Sequence, residues 1–178
     1  GQDLSPAGLT TKAQKNAHEK QMMDIRGKQI GMVFQDPMTF LNPVLKIGVQ
    51  LTEGIIRHTK CTKEEAKKRA VELLAQVGIS NPEKRLNQYP HQFSGGMRQR
   101  IIIAAALACN PKLLIADEPT TALDVTVQAQ ILSLIEGLVK GMGSSALVIT
   151  HDLGVVAELC DKIVIMYGGE IIERGTVE

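Results

Sequence analysis

Tryptophan is absent from these 178 residues, and only two tyrosines and three phenylalanines are present. So few aromatics offer no base-stacking platform for single-stranded nucleic acid. A formal net charge of +1 gives no global attraction for nucleic acid or an anionic membrane. Cysteine is scarce too. Cys61, Cys109 and Cys160 lie far apart, which argues against a disulfide framework or a local zinc site and suits a reducing cytosol. No signal peptide pattern opens the chain. The longest apolar run, Ile101 to Cys109, has nine residues, under half of the roughly 20 that span a bilayer. Any membrane role must therefore come through a partner. Also missing is the phosphate-gripping pattern Gly-x-x-x-x-Gly-Lys-Ser/Thr. The Gly27-Lys28 pair is followed by Gln29, and Met22 stands where the first glycine is needed.

What remains is ordinary for a globular protein: 44% hydrophobic and 22% charged residues, at a length that fits one domain with a real core. Residues 1–28 are polar and mixed, with a turn at Ser5-Pro6-Ala7-Gly8 and weak helical character from Ala13 to Met23. Gln29 to Phe34 reads as a short buried strand stopped by Gln35-Asp36-Pro37. From Val44 to about Gly78 the period is helical. Thr62 and Glu65 make a capping box, Ala66, Ala70, Leu73, Leu74 and Val77 recur on one face, and Gly78 suits a C-cap. The basic run from Arg57 to Arg69, broken by Glu64 and Glu65, reads as a solvated helix face. Asn81 to Gln92 is loop or short helix, and a helix follows from about Gly95 to Cys109.

After Asn110-Pro111 strands and helices alternate. Leu113–Ala116 is a continuously apolar strand of the kind covered on both faces in a parallel sheet. Val125–Leu138 is a helix, Ala146–Thr150 a strand, Leu153–Leu159 a short helix and Lys162–Tyr167 a strand, which turns at Gly168-Gly169 into Glu170–Glu173. This order specifies an α/β sheet preceded by a helical insertion. No internal repeat or low-complexity tract interrupts it.

Three places carry chemistry. Asp117 and Glu118 stand at the C-terminal end of a buried strand, the edge where open α/β sheets bind ligands. Asp117 suits a Mg²⁺ ion, directly or through its water, and Glu118 suits the polarisation of a water that attacks a γ-phosphate. Ser94-Gly95-Gly96-Met97 opens a helix: Ser94 is a good N-cap, and two glycines let backbone N–H groups approach an anion at the positive end of the helix dipole. His151-Asp152 follows a strand, again at its C-terminal edge. Each is unremarkable alone. Taken singly, a strand running into an acidic turn closed by Pro119, a common helix cap and a structural histidine are the commoner explanations.

Their order is what counts. Gln35, Ser94-Gly95-Gly96, Asp117-Glu118, Ala122-Leu123-Asp124 and His151 fall in one chain, each at an element boundary. The set resembles the ABC ATPase family, matching its Q-loop, signature, Walker B, D-loop and H-loop over residues 29–178. Gln35-Asp36-Pro37-Met38, Leu41-Asn42-Pro43 and Phe93-Ser94-Gly95-Gly96-Met97-Arg98-Gln99-Arg100 look like the di- and oligopeptide (and nickel) importer branch. Met97 stands where glutamine is commonest in the general signature.

The resemblance implies a P-loop NTPase (RecA-like) parallel core over 29–37 and 110–178, with a helical subdomain at 38–109 that includes the signature helix. The family's P-loop strand is expected between Ala146–Thr150 and Lys162–Tyr167. Its loop, and the aromatic that stacks on adenine, are expected upstream, so residues 1–178 are read as a partial ABC ATPase domain that begins after the Walker A motif and is inactive alone. By resemblance, Glu118, His151 and Gln35 are catalytic, Asp117 and Gln35 serve Mg²⁺, Asp124 is the D-loop acid, and Ser94, Gly95, Gly96 and Met97 cap the ATP of a partner. The implied partners are a second ABC ATPase subunit, identical or not, two transmembrane permease subunits touched near Gln35–Gln50, and indirectly a solute-binding protein. No nucleic acid is expected. The implied place is the cytoplasmic face of a bacterial or archaeal membrane, and the implied work is ATP-driven uptake of di- or oligopeptides. Two other readings stay open: an ABC ATPase outside transport, which lacks support from a coiled-coil insertion or a basic stripe, and a non-catalytic interaction module.

Overall fold

A computed structural model describes residues 5–6, 10–35, 40–121 and 123–177, the side chain of Asp24 excepted. Asp36-Pro37-Met38, Ala122 and the Ala7-Gly8 half of the expected turn lie outside the described residues. Along the chain come α1 (Lys12–Ile25), β1 (Ile30–Val33), α2 (Ile47–Thr59), α3 (Lys63–Gln76), the one-turn α4 (Pro82–Arg85), a 3₁₀ turn (Pro90–Gln92), α5 (Gly95–Leu107), β2 (Leu113–Asp117), α6 (Val125–Met142), β3 (Ser145–Ile149), α7 (Leu153–Leu159), β4 (Lys162–Tyr167) and β5 (Glu170–Thr176).

The helical layer follows its sequence pattern closely. In α2 the buried residues are Ile47, Leu51 and Ile55, one per turn on a single face. Thr62 caps α3 reciprocally: its N–H donates to Glu65 Oε2 at 2.8 Å, and its Oγ1 accepts from the Glu65 N–H at 3.3 Å. The inward residues are the expected Ala66, Ala70, Leu73 and Leu74, and Gly78 ends the helix at φ +77°. A second capping box, between Thr11 and Gln14, starts α1, whose helical character is weak in sequence because it buries little.

Helix α5 is the spine. Ile101, Ile102, Ile103 and Ala104 are all fully buried, so beyond its first turns this helix has no solvent face, and it joins the helical layer to the sheet. Its carbonyl at Ala106 sits so close to β1 that an ideal Cβ on Gly31 would lie 2.3 Å from the oxygen. Glycine is required there by space.

Strands β1, β2 and β3 form a parallel sheet in that order, with Val33 opposite Ala116 and Asp117 opposite Ile149. This register brings the C-terminal ends of all three strands to one edge. On β2, Leu114 and Ala116 are buried while Leu113 and Ile115 are only half-buried. The expectation of a strand covered on both faces therefore holds for one face only.

Strands β4 and β5 stand apart as an antiparallel hairpin. Gly168 and Gly169 turn it at φ +58° and +87°, the two left-handed residues that a two-residue type I′ turn needs. Among the described residues β3 pairs with β2 alone, and its other edge faces no strand. Leu147 and Ile149 of β3 and Val164, Met166 and Ile172 of the hairpin are all about half-exposed or more. No helix among the described residues is long and apolar enough to cross a membrane.

Candidate active site

Glu118 is the point of convergence. It follows the last residue of β2, and its own N–H extends the sheet by donating to the Ile149 carbonyl at 2.9 Å. Its backbone lies in the left-handed region at φ +44°, which costs a residue with a Cβ about 1–2 kcal/mol. Such a conformation persists where surrounding structure over-determines it, and functional sites concentrate it.

Three side chains meet its carboxylate. Gln35, two residues beyond β1, donates from Nε2 to Oε2 at 2.8 Å. Thr121 donates its hydroxyl to the same oxygen at 2.8 Å. His151, two residues beyond β3, places Nδ1 3.1 Å from Oε1. An ionised carboxylate only accepts, so this geometry calls for the tautomer with the proton on Nδ1. The Thr121 bond first, then the His151 bond, hold the Glu118 carboxyl below the ordinary glutamate range. A carboxylate offers about four lone-pair positions, and three bonds leave room for one more donor.

The expected site residues thus divide into two groups. Gln35, Glu118 and His151 come together, although 83 residues separate the first two in the chain. Ser94 instead caps α5, its Oγ accepting from the Met97 N–H at 3.4 Å, with Gly95 and Gly96 in the first turn. Asp124 caps α6, accepting from the Val127 N–H at 3.0 Å. Neither cap bonds to the Glu118 group. Asp117 ends β2 beside it.

Thr121 is not singled out by the sequence. A hydroxyl three residues beyond an acid, across a proline, was the available signal. Exposure also differs within the group: the Glu118 side chain is 25% exposed and that of His151 79%. A cavity of about 700 Å³ lies elsewhere, against Val49, Ile56 and Leu86. The Glu118 group sits on an open surface.

For Mg²⁺ the donor chemistry fits. Asp117 supplies a carboxylate, and Gln35, having turned its nitrogen toward Glu118, leaves its amide oxygen for a hard cation. No group of three His, Cys, Asp or Glu among the described residues forms a closed metal site. That composition suits an ion held mainly by phosphate and water, as Mg²⁺ commonly is.

Residues 3–121 match the family model described as ABC transporter. The chain belongs to the ABC transporter family. It is 65% identical over 160 residues to the oligopeptide transport ATP-binding protein OppD of Bacillus subtilis (strain 168), covering 90% of this chain and 45% of that protein. The dipeptide transport ATP-binding protein DppD of the same organism is 57% identical over 158 residues, covering 89% of this chain and 47% of the relative. The chain therefore spans a little under half the length of these curated relatives. The ATP-binding cassette MJ0796, solved as a dimer in a post-hydrolysis state with ADP and phosphate, superposes with a TM-score of 0.77 at 32% identity, over 90% of this chain and 68% of that one. The fold is that of the ABC ATPase cassette, an α/β P-loop NTPase architecture.

Proposed function

We propose that the intact protein is the ATP-hydrolysing subunit of an ABC importer for di- or oligopeptides. The observation that carries this is the convergence of Gln35, Thr121 and His151 on Glu118 at the C-terminal edge of a parallel sheet, in a chain closely similar to oligopeptide and dipeptide transport ATP-binding proteins.

Glu118, held ionised, orients and polarises the water that attacks the γ-phosphate. The one lone pair left on its carboxylate is the position for that water. His151 steadies the carboxylate through Nδ1 and presents the far side of its ring to the phosphate. Gln35 links the β1 edge to the same carboxylate and, with Asp117, serves Mg²⁺. When bound, that ion neutralises charge building on the phosphate oxygens. Ser94, Gly95, Gly96 and Met97 form a helix N-terminus suited to a phosphate, which we assign to the nucleotide of a second ATPase subunit, identical or not. Asp124 fixes the start of α6 between these two regions.

We divide the cassette into a helical subdomain at 38–109 and core portions at 29–37 and 110–178, with 1–178 a partial ABC ATPase domain. No Gly-x-x-x-x-Gly-Lys-Ser/Thr occurs within these residues, so the 178 residues alone are expected to turn over no ATP. The partners would be two permease subunits docking near Gln35–Gln50 and, through them, a solute-binding protein. This places the subunit peripherally on the cytoplasmic face of the membrane.

The test is Glu118→Gln in the full-length protein. ATP binding should persist, phosphate release should fall at least 100-fold, and an ATP-bound dimer should accumulate. Near-normal phosphate release would overturn the assignment of Glu118. A strain lacking the protein should lose uptake of a labelled oligopeptide, and undiminished uptake would remove the peptide assignment.

A further inference from the structure

Gln99 is a polar side chain in the wrong place for an ordinary core. It is 1% exposed, one turn into α5, among fully buried isoleucines. Its Nε2 donates to the carbonyl of Pro119 at 2.6 Å, and its Oε1 is buried with no partner among the described residues. A buried amide with half its capacity unused costs stability, so packing alone gives no reason for a glutamine there. The group it holds is telling. Pro119 directly follows Glu118, whose backbone sits at φ +44°. On the N-terminal side, that strained residue is pinned by its N–H to Ile149. On the C-terminal side proline has no N–H, and its carbonyl is the one backbone hydrogen-bonding group available. Gln99 occupies it.

A second glutamine continues the clamp along the same turn. Gln128 on α6 donates from Nε2 to the carbonyls of Thr120 at 3.3 Å and Leu123 at 3.1 Å.

We propose that Gln99 is a positioning residue for Glu118: it tethers the Glu118–Pro119 turn to the rigid α5 spine, holding the carboxylate where Gln35, Thr121 and His151 meet it. It acts on the site of its own chain. The phosphate-capping end of its helix, at Ser94–Gly96, is a separate function. This inference rests on the ATPase reading for its kinetic consequences, and on geometry alone for its structural ones.

Gln99→Met keeps length and volume and removes the donor. In the full-length protein, kcat should fall at least 10-fold with KM for ATP within twofold and Tm within about 4 °C of wild type. With Glu118→Gln added, the ATP-trapped dimer should still form, whereas Ser94→Arg in that background should abolish it. Amide hydrogen exchange should quicken at Glu118 and Thr121 at least 10-fold and stay unchanged at Ala104–Leu107. Unchanged kcat, loss of the trapped dimer with Gln99→Met, or exchange rising equally along α5 would each overturn the proposal. A wild-type protein without ATP turnover would strike the ATPase reading, and the exchange pattern would still decide the role of Gln99.

Discussion

Replacing Gly31 with alanine should be among the most damaging small substitutions in this protein, and its size can be worked from the structure. The new Cβ would lie 2.3 Å from the Ala106 carbonyl oxygen and 3.1 Å from Pro111 Cγ. An ordinary C···O contact is about 3.3 Å or more, so β1 and α5 must part by about 1 Å. Neither can move cheaply. Gly31 is registered against Leu114 in the middle strand, and Ile101–Ala104 of α5 are fully buried. Overpacking against immobile backbone costs about 1–3 kcal/mol, and the upper end applies here because the obstacle is a carbonyl. At 150–250 residues each kilocalorie lowers Tm by about 2–4 °C, so the expected loss is about 6–12 °C by circular dichroism melting. Gln35 lies four residues further on, so displacement of β1 should also lengthen its bond to Glu118. Gly137→Ala is the matched control. Nothing lies within 4 Å of its Cβ position inside α6, and alanine is favoured over glycine in a helix by about 1 kcal/mol, so Tm should rise by a few degrees. A Gly31→Ala protein melting within about 2 °C of wild type would refute the reasoning.

Thr121→Val removes the largest influence that keeps the Glu118 carboxyl acidic. The sign is that of a depressed carboxylate: the stabilisation is present above the ordinary value of about 4.3 and is lost as pH falls through the lower folded value. Carbon-detected NMR titration should therefore find Glu118 titrating at higher pH in the variant, and an unmoved titration would refute the cause. Thr62→Ala breaks the capping box of α3 and should cost about 1 kcal/mol, or 2–4 °C in Tm; no change would mean the cap is redundant. His151→Ala in the full-length protein should slow phosphate release sharply, and an unaffected rate would demote His151 to a structural role. The 178-residue chain by itself should sediment as oligomers or aggregates at micromolar concentration, because β3 carries an unpaired edge beside apolar surface. A compact monomer with a sharp thermal transition would contradict that.

Local rules make most of this architecture readable in the sequence. Thr62 and Glu65 announced α3, Gly168-Gly169 announced the hairpin, and the α7 and β4 boundaries fell where residue pattern put them. Gln35, Glu118 and His151 were legible as a set because each follows a strand, and three parallel strands in register must deliver their ends to one edge. What sequence could not supply was long-range detail at side-chain level. Gln99 looks like any polar residue in a helix, and nothing local reveals that its amide reaches a carbonyl 20 residues away. Helix α5 likewise hides its burial, since residues buried all round carry no periodicity. The separation of β4–β5 from β3 was also invisible, because alternation of strands and helices does not say which strands pair.

That separation bears on the site itself. β3 delivers His151, yet among the described residues it is held on one edge only, by β2 through pairs running from Leu113–Ser145 to Asp117–Ile149. Its other edge pairs with no strand among the described residues, and its Leu147 and Ile149 side chains are about half-exposed. A strand bonded on one side frays more readily than one bonded on both, and fraying of β3 moves His151 away from Glu118 before it disturbs β1 or Gln35. Glu118 is more secure, because the Pro119 carbonyl that follows it is held by Gln99 of α5, which does not depend on β3. The carboxylate is thus prepared by the core of the fold, whereas its histidine partner depends on whatever covers the open edge of β3. Within the described residues, loosening of β3 would part His151 from Glu118 while the Gln35 and Gln99 bonds remain.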